Sequence, residues 1–572
     1  MTLSPAAPTD QVAGRLTVRV LSALLREDVV GLRSRGRLEY RPDGAWLRLD
    51  ARPGAGQRPL AVPVTADGFQ GELSARLPLV TVEDDPPHTL HGVEAILTEL
   101  ASRADARDRP GFTAYAEECR QTLATLRLHE ATDDDLRALL TDRHGSSPTG
   151  WTGMRASLGF DALAARIDHP VYPTARGRAG LGEAELRAYA PEFAPAFRLR
   201  WLALPRDAVT LSPDAGDTFD GPDGTVLLPV HPLTPGPHLD RALAQAGLTE
   251  AARLVPGPDA LVVPTLSMRT VALLDRPTDH LKVPLSTATL GLRNRRTIKP
   301  DTLADGRAGQ RLITSVLAGL PHLRDRVLHA DETRYVHAGH ELLAALVRRH
   351  PPALENDLVV PLAALLAPAP GGRLVIEHAA DIVSGGDPVR FLGELWELLL
   401  DLQVSLFTRG IALESHQQNL SVLVAPDRPV RLLLKDNDGP RVLRRRAAEL
   451  GLDPTAFDDP RTWVDDEGPL ADLFATITVH LCAGAYAVGL AEHGLASREA
   501  VLGELRTRLE VALDRPGTTY LRRRLLEDPA LPVKAMVTAG SLLSKERSGA
   551  TDVNKHYTTG PNYLLRKTGT GR

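Results

Sequence analysis

The alternation of apolar and polar positions predicts both helices and strands along this chain. Apolar residues at helical spacing between Pro388 and Arg409 predict a long core helix that Gly410 ends. Further on, two apolar runs at 420–424 and 430–434 flank the turn-forming stretch 425–429, a pattern typical of a β-hairpin. We therefore expect an α+β protein.

Turn-rich stretches divide the chain into three blocks. The segment 145–150 combines Gly, Ser and Pro, and a second Pro-rich segment lies at 367–372. These boundaries predict domains at 1–150, 151–368 and 369–572. The first block contains no chemical motif. The predicted elements are helical regions at 15–35 and 91–141 and strands at 45–49, 71–80, 225–230, 260–263 and 373–376.

Two polar clusters lie at the open end of the predicted hairpin. One is 414–419, Glu-Ser-His-Gln-Gln-Asn, and the other is 435–439, Lys-Asp-Asn-Asp-Gly. Because a hairpin returns its far end to its near end, Asn419 and Asp436 should lie side by side, with Glu414 nearby. A carboxylate and an amide beside a Lys recur where Mg²⁺ is held on a nucleotide triphosphate. The alternative is a polar hairpin end that faces water.

The lysines strengthen the nucleotide interpretation. Only seven of the 67 basic residues are Lys, and none precedes Lys282. A chain that uses Arg for most of its positive charge is expected to keep Lys where a compact ammonium is needed, as in phosphate binding. Lys282, Lys435 and Lys534 lie in or near polar motifs. Lys555 and Lys567 lie in a polar tail, where we expect them to be solvated.

Composition narrows the class of protein. The 572 residues are 43% apolar and 24% charged, which is typical of a soluble globular protein of several domains. A net charge of −5 and 4% aromatic residues argue against nucleic-acid binding. Two cysteines, Cys119 and Cys482, are too few for a disulfide framework or a zinc site. We find no signal peptide and no apolar run near the roughly 20 residues of a membrane span, so we expect a cytoplasmic protein without a membrane partner.

The middle block contains motifs suited to phosphate. Ser267, Arg269 and Thr270 follow a predicted strand, so two hydroxyls and a guanidinium leave the strand end together. Taken alone, this pattern is also compatible with a surface strand. Lys282 begins another predicted strand, and Thr289 and Arg293 follow it, with Arg295 and Arg296 as substitutes for Arg293.

Two His-Pro elements precede these motifs. His169-Pro170 opens a segment that continues to Arg176 and Arg178, and His231 lies between Val230 and Pro232. A His beside Pro is held rigidly, and the neighbouring guanidiniums suit an anionic, carboxylate-bearing substrate. A structural role is the alternative, and for His231 it is the favoured one.

In this order, the motifs resemble those of the siderophore synthetases that work without a peptide synthetase template, the aerobactin synthetase (IucA/IucC) family. The resemblance covers roughly residues 165 to 565, and Glu-x-His-x-Gln-Asn at 414–419 is its most specific part. It implies a hand-like architecture of thumb, fingers and palm, in which the palm resembles protein kinases. It also implies that ATP and Mg²⁺ adenylate a carboxylate, which an amine, hydroxylamine or alcohol then captures.

The same resemblance implies roles for individual residues. His416 would face the reacting carboxylate, Arg293 would neutralise carboxylate or phosphate, and His169 and Lys534 would border the acid. The cofactor-binding set is Ser267, Arg269, Thr270, Lys282, Thr289, Gln418 and Lys435, and the metal set is Glu414, Asn419 and Asp436. The chain departs from the family at Tyr172, usually His, and at Arg176, usually Lys.

We therefore predict an acyl-adenylate-forming ligase with ATP and Mg²⁺ as cofactors. Its substrates would be citrate, a citrate derivative or a related polycarboxylate, together with an amine, hydroxylamine or alcohol. The two departures predict that free citrate is not the preferred acid. The alternatives are a kinase-like small-molecule phosphotransferase and a non-catalytic nucleotide-binding protein. A homodimer is one candidate assembly.

Overall fold

The computed structural model describes residues 10–51, 56–437, 439–453, 455–550, 552 and 555–565. Two residues of the sequence motifs, Asp438 and Lys567, lie outside these ranges. The described chain is a mixed helix and sheet fold.

The N-terminal part packs helices on an antiparallel sheet. Its strands are β1 Gly36–Arg41, β2 Gly44–Leu49, β3 Leu60–Ala66, β4 Leu73–Ala75, β5 Leu79–Val82 and β6 His88–His91, in the order β1-β2-β3-β5-β6, with β4 on β3. Its helices are α1 Gln11–Arg26, α2 Val93–Arg103, α3 Arg109–Ala131 and α4 Asp133–His144. Apolar residues of α1, α2 and α3 share one core with the sheet and with Met536, Val537 and Leu542 from near the C-terminus. The N-terminal and C-terminal parts therefore share apolar packing.

The middle part contains a seven-stranded antiparallel sheet and a three-stranded one. The larger sheet has the order β7-β12-β13-β14-β17-β16-β9 and the smaller one β10-β8-β11. The strands are β7 Phe197–Arg198, β8 Arg200–Pro205, β9 Thr210–Leu211, β10 Thr225–Val230, β11 Arg253–Val255, β12 Leu261–Pro264, β13 Thr270–Leu273, β14 Asp279–Lys282, β16 Asp331–His337 and β17 Ala344–Arg349. The helices are α5 Gly153–Ala164, α6 Glu183–Tyr189, α7 Pro237–Gln245 and α8 Asp301–Ala318.

A four-stranded sheet joins the predicted second and third blocks. It has the order β15-β21-β20-β18, with β15 Val327–His329, β18 Leu358–Pro361, β20 Leu420–Ala425 and β21 Arg428–Leu434. β15 pairs parallel to β21, and β18 pairs antiparallel to β20. Strands from both sides of the boundary at 368 thus share one sheet, while the three-domain division itself stays a prediction.

The C-terminal part is mainly helical. Its helices are α9 Val375–Val383, α10 Pro388–Phe407, α11 Gly468–Leu473, α12 Ala485–Glu492, α13 Arg498–Ala512, α14 Thr519–Leu526 and α15 Lys545–Ser548, with π-helical segments at Phe474–Gly484 and Thr538–Leu542. Its strands are β19 Ile411–Ala412, β22 Arg441–Leu443, β23 Trp463–Val464, β24 Ala530–Lys534 and β25 Tyr557–Pro561.

The continuous helical stretch Gly468–Glu492 contradicts the prediction that no apolar run approaches the length of a membrane span. An 18-residue window within these 25 residues has a mean hydropathy of 1.7, so by length and composition the stretch could cross a membrane. However, 94% of its apolar window is buried inside the fold. A helix that is apolar on all sides is expected at the centre of a large core.

The local predictions that rested on periodicity are confirmed. The long helix is α10, Gly410 follows it with a φ of 78°, and the hairpin is β20–β21. Two strand predictions are wrong. The segment 373–376 leads into α9 instead of forming a strand, because its apolar residues continue into a buried helical face. Lys282 ends β14 and does not begin a strand.

Candidate active site

The mouth of the β20–β21 hairpin is closed by hydrogen bonds between the two polar clusters. Leu420 pairs with Leu434, and the backbone amide of Lys435 donates to the carbonyl of Asn419 at 2.9 Å. The side-chain amide of Asn419 donates to the Glu414 carbonyl at 3.1 Å. The hairpin therefore places Glu414, Asn419 and Asp436 on the wall of one cavity.

This cavity has a volume of about 380 Å³ and lies between the middle and C-terminal parts. Every predicted site residue except Arg293 lines it, namely His169, Ser267, Arg269, Thr270, Lys282, Thr289, Glu414, His416, Gln418, Asn419, Lys435, Asp436 and Lys534. Among the described lining residues, Lys and Arg outnumber Asp and Glu. A cationic cavity in a chain of net negative charge is suited to anionic ligands.

Asp436 is held between two cations. The Lys282 ammonium lies 3.3 Å from its carboxylate and the Arg348 guanidinium 3.0 Å. Arg348 also pairs with the buried Glu332 at 2.8 Å. Burial opposes the charged form of Arg348, but the Glu332 and Asp436 carboxylates outweigh this and raise its pKa. No sequence motif predicted Arg348 as a site residue. It lies beside Asp436 because β17, which carries it, pairs with β14, which carries Lys282.

Glu414 has a different partner, Lys555. The Lys555 ammonium lies 3.1 Å from Glu414 and is only 10% exposed, so the prediction of a solvated Lys555 is wrong. Lys555 lies close to Glu414 because it precedes β25, which pairs with β24, and β24 ends at Lys534. Burial opposes the ionised form of Glu414, but Lys555 and Lys534 outweigh this and lower the pKa of that carboxyl.

His416 and His169 are both fixed in one tautomer by backbone amides. Nδ1 of His416 accepts from Gln418 at 3.2 Å, and Nδ1 of His169 accepts from Val171 at 3.1 Å and Tyr172 at 3.0 Å. Burial lowers the pKa of His416 to about 4, and burial with the Lys534 charge lowers that of His169 well below its ordinary value. Near neutral pH each is a neutral imidazole whose proton is on Nε2, and in that form each acts as a hydrogen-bond donor.

The turn between β12 and β13 presents the predicted hydroxyl and guanidinium groups. Thr270 donates through its hydroxyl to Ser267 Oγ at 3.4 Å, and a guanidinium nitrogen of Arg296 donates to the same oxygen at 3.2 Å. Arg269 donates to the Thr297 carbonyl. Met268 at the tip has a φ of 63°, a left-handed backbone that tightens the turn. Ser267, Arg269 and Thr270 therefore enter the cavity together.

Arg296 lines the cavity, whereas Arg293 does not. The Arg293 guanidinium donates to the Ala539 carbonyl at 3.0 Å and so holds the segment that follows Lys534. Arg295 is about half exposed and pairs with Glu341 at 3.1 Å. Burial, together with Arg269 and Arg178, lowers the pKa of Arg296 to about 9, so it remains charged at neutral pH. The sequence could not rank three neighbouring arginines in an irregular loop.

The two departures from the family pattern lie in different environments. Arg176 lines the cavity and donates to the Ala164 carbonyl at 3.1 Å. Tyr172 does not line the cavity: it is fully buried, and its hydroxyl donates to Glu118 at 2.9 Å. Of the two residues predicted to flank the acid, Arg176 lines this cavity and Tyr172 does not.

Asp161 on α5 is a cavity residue that no sequence motif predicted. It is 5% exposed, and within the described chain no donor reaches its Oδ1. Burial raises its pKa, and the nearby Lys435 opposes that shift. Asp161 is thus an acceptor in a cavity dominated by donors.

In the described part of the chain, no group of three or more His, Cys, Asp or Glu side chains is placed to hold a metal ion. The predicted set of Glu414, Asn419 and Asp436 offers two carboxylates and one amide oxygen, and both carboxylates already pair with cations. Hard oxygen donors of this kind suit Mg²⁺ when phosphate oxygens and water complete the coordination. The residues therefore fit a metal that arrives on a nucleotide and do not form a metal cage by themselves.

Two family models match the chain. Residues 160–367 match the IucA / IucC family, and residues 390–547 match the family described as ferric iron reductase FhuF-like transporter. The first match covers the β12–β14 motifs, and the second covers the hairpin and Lys534.

Individual relatives agree with the first model. The chain is 23% identical to staphyloferrin B synthase of Staphylococcus aureus over 71% of its own length and 76% of that protein. It is 27% identical to the rhizobactin siderophore biosynthesis protein RhbC of Rhizobium meliloti over 80% of its length and 82% of that protein.

Solved structures establish the fold. The petrobactin biosynthesis protein AsbB of Bacillus anthracis superposes with a TM-score of 0.76 at 18% identity, covering 96% of this chain and 95% of AsbB. ATP-bound aerobactin synthetase IucA of Klebsiella pneumoniae superposes with a TM-score of 0.68 at 19% identity, covering 96% of this chain and all of IucA. The match of residues 160–367 to the IucA/IucC family, together with these relatives, confirms the resemblance of the chain to the template-independent siderophore synthetases.

Proposed function

We propose that the chain is an ATP-dependent siderophore synthetase that adenylates a polycarboxylate and transfers the acyl group to an amine, hydroxylamine or alcohol. The observation that carries this proposal is the composition of the single cavity described above. It combines a phosphate-suited group at Ser267–Thr270 and Lys282 with the acid-suited His169, Arg176 and Lys534. Such a cavity can hold a nucleotide and a carboxylate at once.

In the first step a carboxylate oxygen attacks the α-phosphorus of ATP, a new oxygen–phosphorus bond forms, and pyrophosphate leaves. In the second, the nucleophile attacks the acyl carbon and loses a proton, and AMP leaves. Negative charge spreads over phosphate oxygens in the first step, so fixed donors accelerate it most. Lys282, Arg269 and Arg296 provide such donors.

His416 lies on the cavity wall with its Nε2 proton available for donation. Because Nδ1 is already occupied by the Gln418 amide, His416 is suited to donate a hydrogen bond and not to remove a proton. We propose that it donates to an oxygen that gains charge during adenylation. Donation of this kind costs no reorganisation when the ring is already fixed.

Glu414, Asn419 and Asp436 would hold Mg²⁺ on the nucleotide, where the ion neutralises phosphate charge. The ion pairs of Asp436 with Lys282 and Arg348 hold this carboxylate in place before any ligand arrives. The hand-like division with a kinase-like palm, and the domain limits at 150 and 368, belong to the same proposal.

Product analysis tests the reaction class. Incubation with ATP, Mg²⁺, a panel of di- and tricarboxylates and hydroxylamine should yield AMP, pyrophosphate and a hydroxamate, because the activated acid is an acyl-adenylate. Chromatography of the nucleotides and a colorimetric hydroxamate assay measure these products. Acid-dependent ADP without AMP would favour the phosphotransferase, and no turnover with any acid would favour a non-catalytic nucleotide-binding protein.

Arg176 should set the preference among acids. A guanidinium binds a carboxylate through a planar fork and an ammonium binds it as a point charge. We therefore expect free citrate to be a poor substrate and Arg176→Lys to raise citrate turnover, relative to the best acid of the panel, by about threefold or more. The specificity constants for both acids measure this effect.

Arg187→Lys, on the surface of α6, is the matched control and should leave the preference unchanged. Tyr172→His is unsuitable as a second change because it would break the hydrogen bond to Glu118. If free citrate is the best acid for the unchanged protein, this role of Arg176 is refuted.

A further inference from the structure

Helix α1 holds the loop that carries His169. Arg19 pairs with Asp168 and donates to the His169 carbonyl at 2.6 Å. About two helical turns further along α1, Arg26 donates to the Val171 carbonyl at 2.8 Å. Two charged donors from the N-terminal part therefore fix the backbone at His169 and at Val171, two residues after it.

The same helix end holds the segment that follows Lys534. Glu27 accepts hydrogen bonds from the backbone amides of Val537 at 3.1 Å and Thr538 at 2.7 Å. Burial raises the pKa of Glu27, while Arg26 and these amides oppose the shift. α1 thus contacts the backbone next to both residues that border the proposed acid site.

Glu118 on α3 joins these two segments to each other. Its carboxylate is 4% exposed and accepts from the hydroxyls of Tyr172 at 2.9 Å, Thr174 at 2.5 Å and Ser541 at 2.7 Å. Burial raises the pKa of Glu118, and the three hydroxyls oppose the shift. Only a carboxylate offers acceptors to all three donors at once.

Close backbone packing leaves these segments little room to move. A Cβ at Gly111 of α3 would lie 1.9 Å from the Leu542 carbonyl oxygen, and one at Gly291 would lie 2.9 Å from Gly540. Gly291 belongs to the loop that carries Thr289. The 538–542 segment is therefore in direct contact with α3 on one side and with this loop on the other.

We infer that Glu118 is a positioning residue for the acid part of the cavity, acting through Tyr172, Thr174 and Ser541 on the loop of His169 and the segment of Lys534. This role rests on the proposed function and gives the N-terminal part a place in it. Displacements well below 1 Å at reacting groups are enough to change turnover severalfold. Among the described residues, the side-chain hydrogen bonds of Glu118 go to Tyr172, Thr174 and Ser541 and not to Ser267, Arg269, Thr270 or Lys282, so nucleotide binding by these four groups should be spared.

The test compares KM for the acid with KM for ATP in Glu118→Gln. Its amide keeps the shape of the side chain but turns one acceptor into a donor that opposes a hydroxyl. We expect KM for the best acid to rise about fivefold or more and KM for ATP to stay within twofold. Ser541→Ala removes one donor and should shift the acid constant in the same direction by less.

Glu130→Gln is the matched control, because Glu130 is exposed on the same helix and pairs only with Arg15 among described residues. Both constants should stay unchanged there. The positioning role is overturned if the acid constant does not move in Glu118→Gln, or if both constants rise together. If Glu118→Gln does not fold, Ser541→Ala and Tyr172→Phe decide by the same criterion.

An unchanged protein that forms no AMP with any acid would refute the proposed function instead. Calorimetric binding of tricarballylate to the unchanged protein and to Glu118→Gln then decides the positioning role. Weaker tricarballylate binding with equal ATP binding would support it, and equal binding of both ligands would overturn it.

Discussion

Asp436→Asn and Asn419→Ala should each lower acid-dependent AMP formation by about 100-fold to 1,000-fold, the range for loss of one fixed electrostatic group at a phosphate transition state. Asp436 is the carboxylate on which Lys282 and Arg348 converge, and Asn419 is the amide that closes the hairpin mouth. Either change removes an oxygen that would face the metal. Steady-state rates at saturating ATP and acid measure the effect.

Both variants should remain folded. Arg348 keeps its ion pair with Glu332 when Asp436 loses its charge, so the cost in unfolding free energy should be about 1–3 kcal/mol. Asp427→Asn is the control, because Asp427 lies exposed at the opposite end of the same hairpin. Turnover within about threefold of the unchanged protein for Asp436→Asn would place the metal site elsewhere.

Arg296→Met should lower turnover by about 100-fold, whereas Arg293→Met should change it by no more than a few fold. Arg296 lines the cavity and donates to Ser267 Oγ, so its loss removes a partly buried cation from beside the proposed phosphate-binding residues. Arg293 points instead at the Ala539 carbonyl. The measurement is AMP formation at saturating substrates, with KM for ATP determined alongside.

The Arg293 and Arg296 pair provides its own control, since the two changes are chemically identical and lie three positions apart. Equal losses in both variants would show that the loop 289–296 acts as a unit and that cavity lining does not distinguish its arginines. A loss confined to Arg293→Met would contradict the assignment of Arg296.

Local sequence predicted the hairpin mouth well. Asn419 and Lys435 are separated by two apolar runs with a short turn between them, and this arrangement alone fixes which residues meet. The partners of that mouth could not be predicted in the same way. Lys282 and Arg348 reach Asp436 through the pairing of β14 with β17, which no local pattern encodes.

The direction of side chains in irregular segments could not be predicted from the sequence either. The motif around His169 placed Tyr172 near the acid, yet its ring is buried towards Glu118, since a loop has no period that assigns residues to a face. The first block showed no motif because Arg19, Arg26 and Glu27 bind backbone carbonyls at 169 and 171 and backbone amides at 537 and 538, and every residue type provides such backbone groups.

The shared sheet β15-β21-β20-β18 has a consequence for how the chain is made. During synthesis β15 and β18 emerge before the hairpin that pairs with them, so each presents an unpaired edge until β20 and β21 follow. Asn419 and Asp436 flank the same hairpin, so a prematurely terminated chain that ends before it lacks both residues. An incomplete chain of this kind therefore lacks both the partners of β15 and β18 and two of the three proposed metal-facing residues.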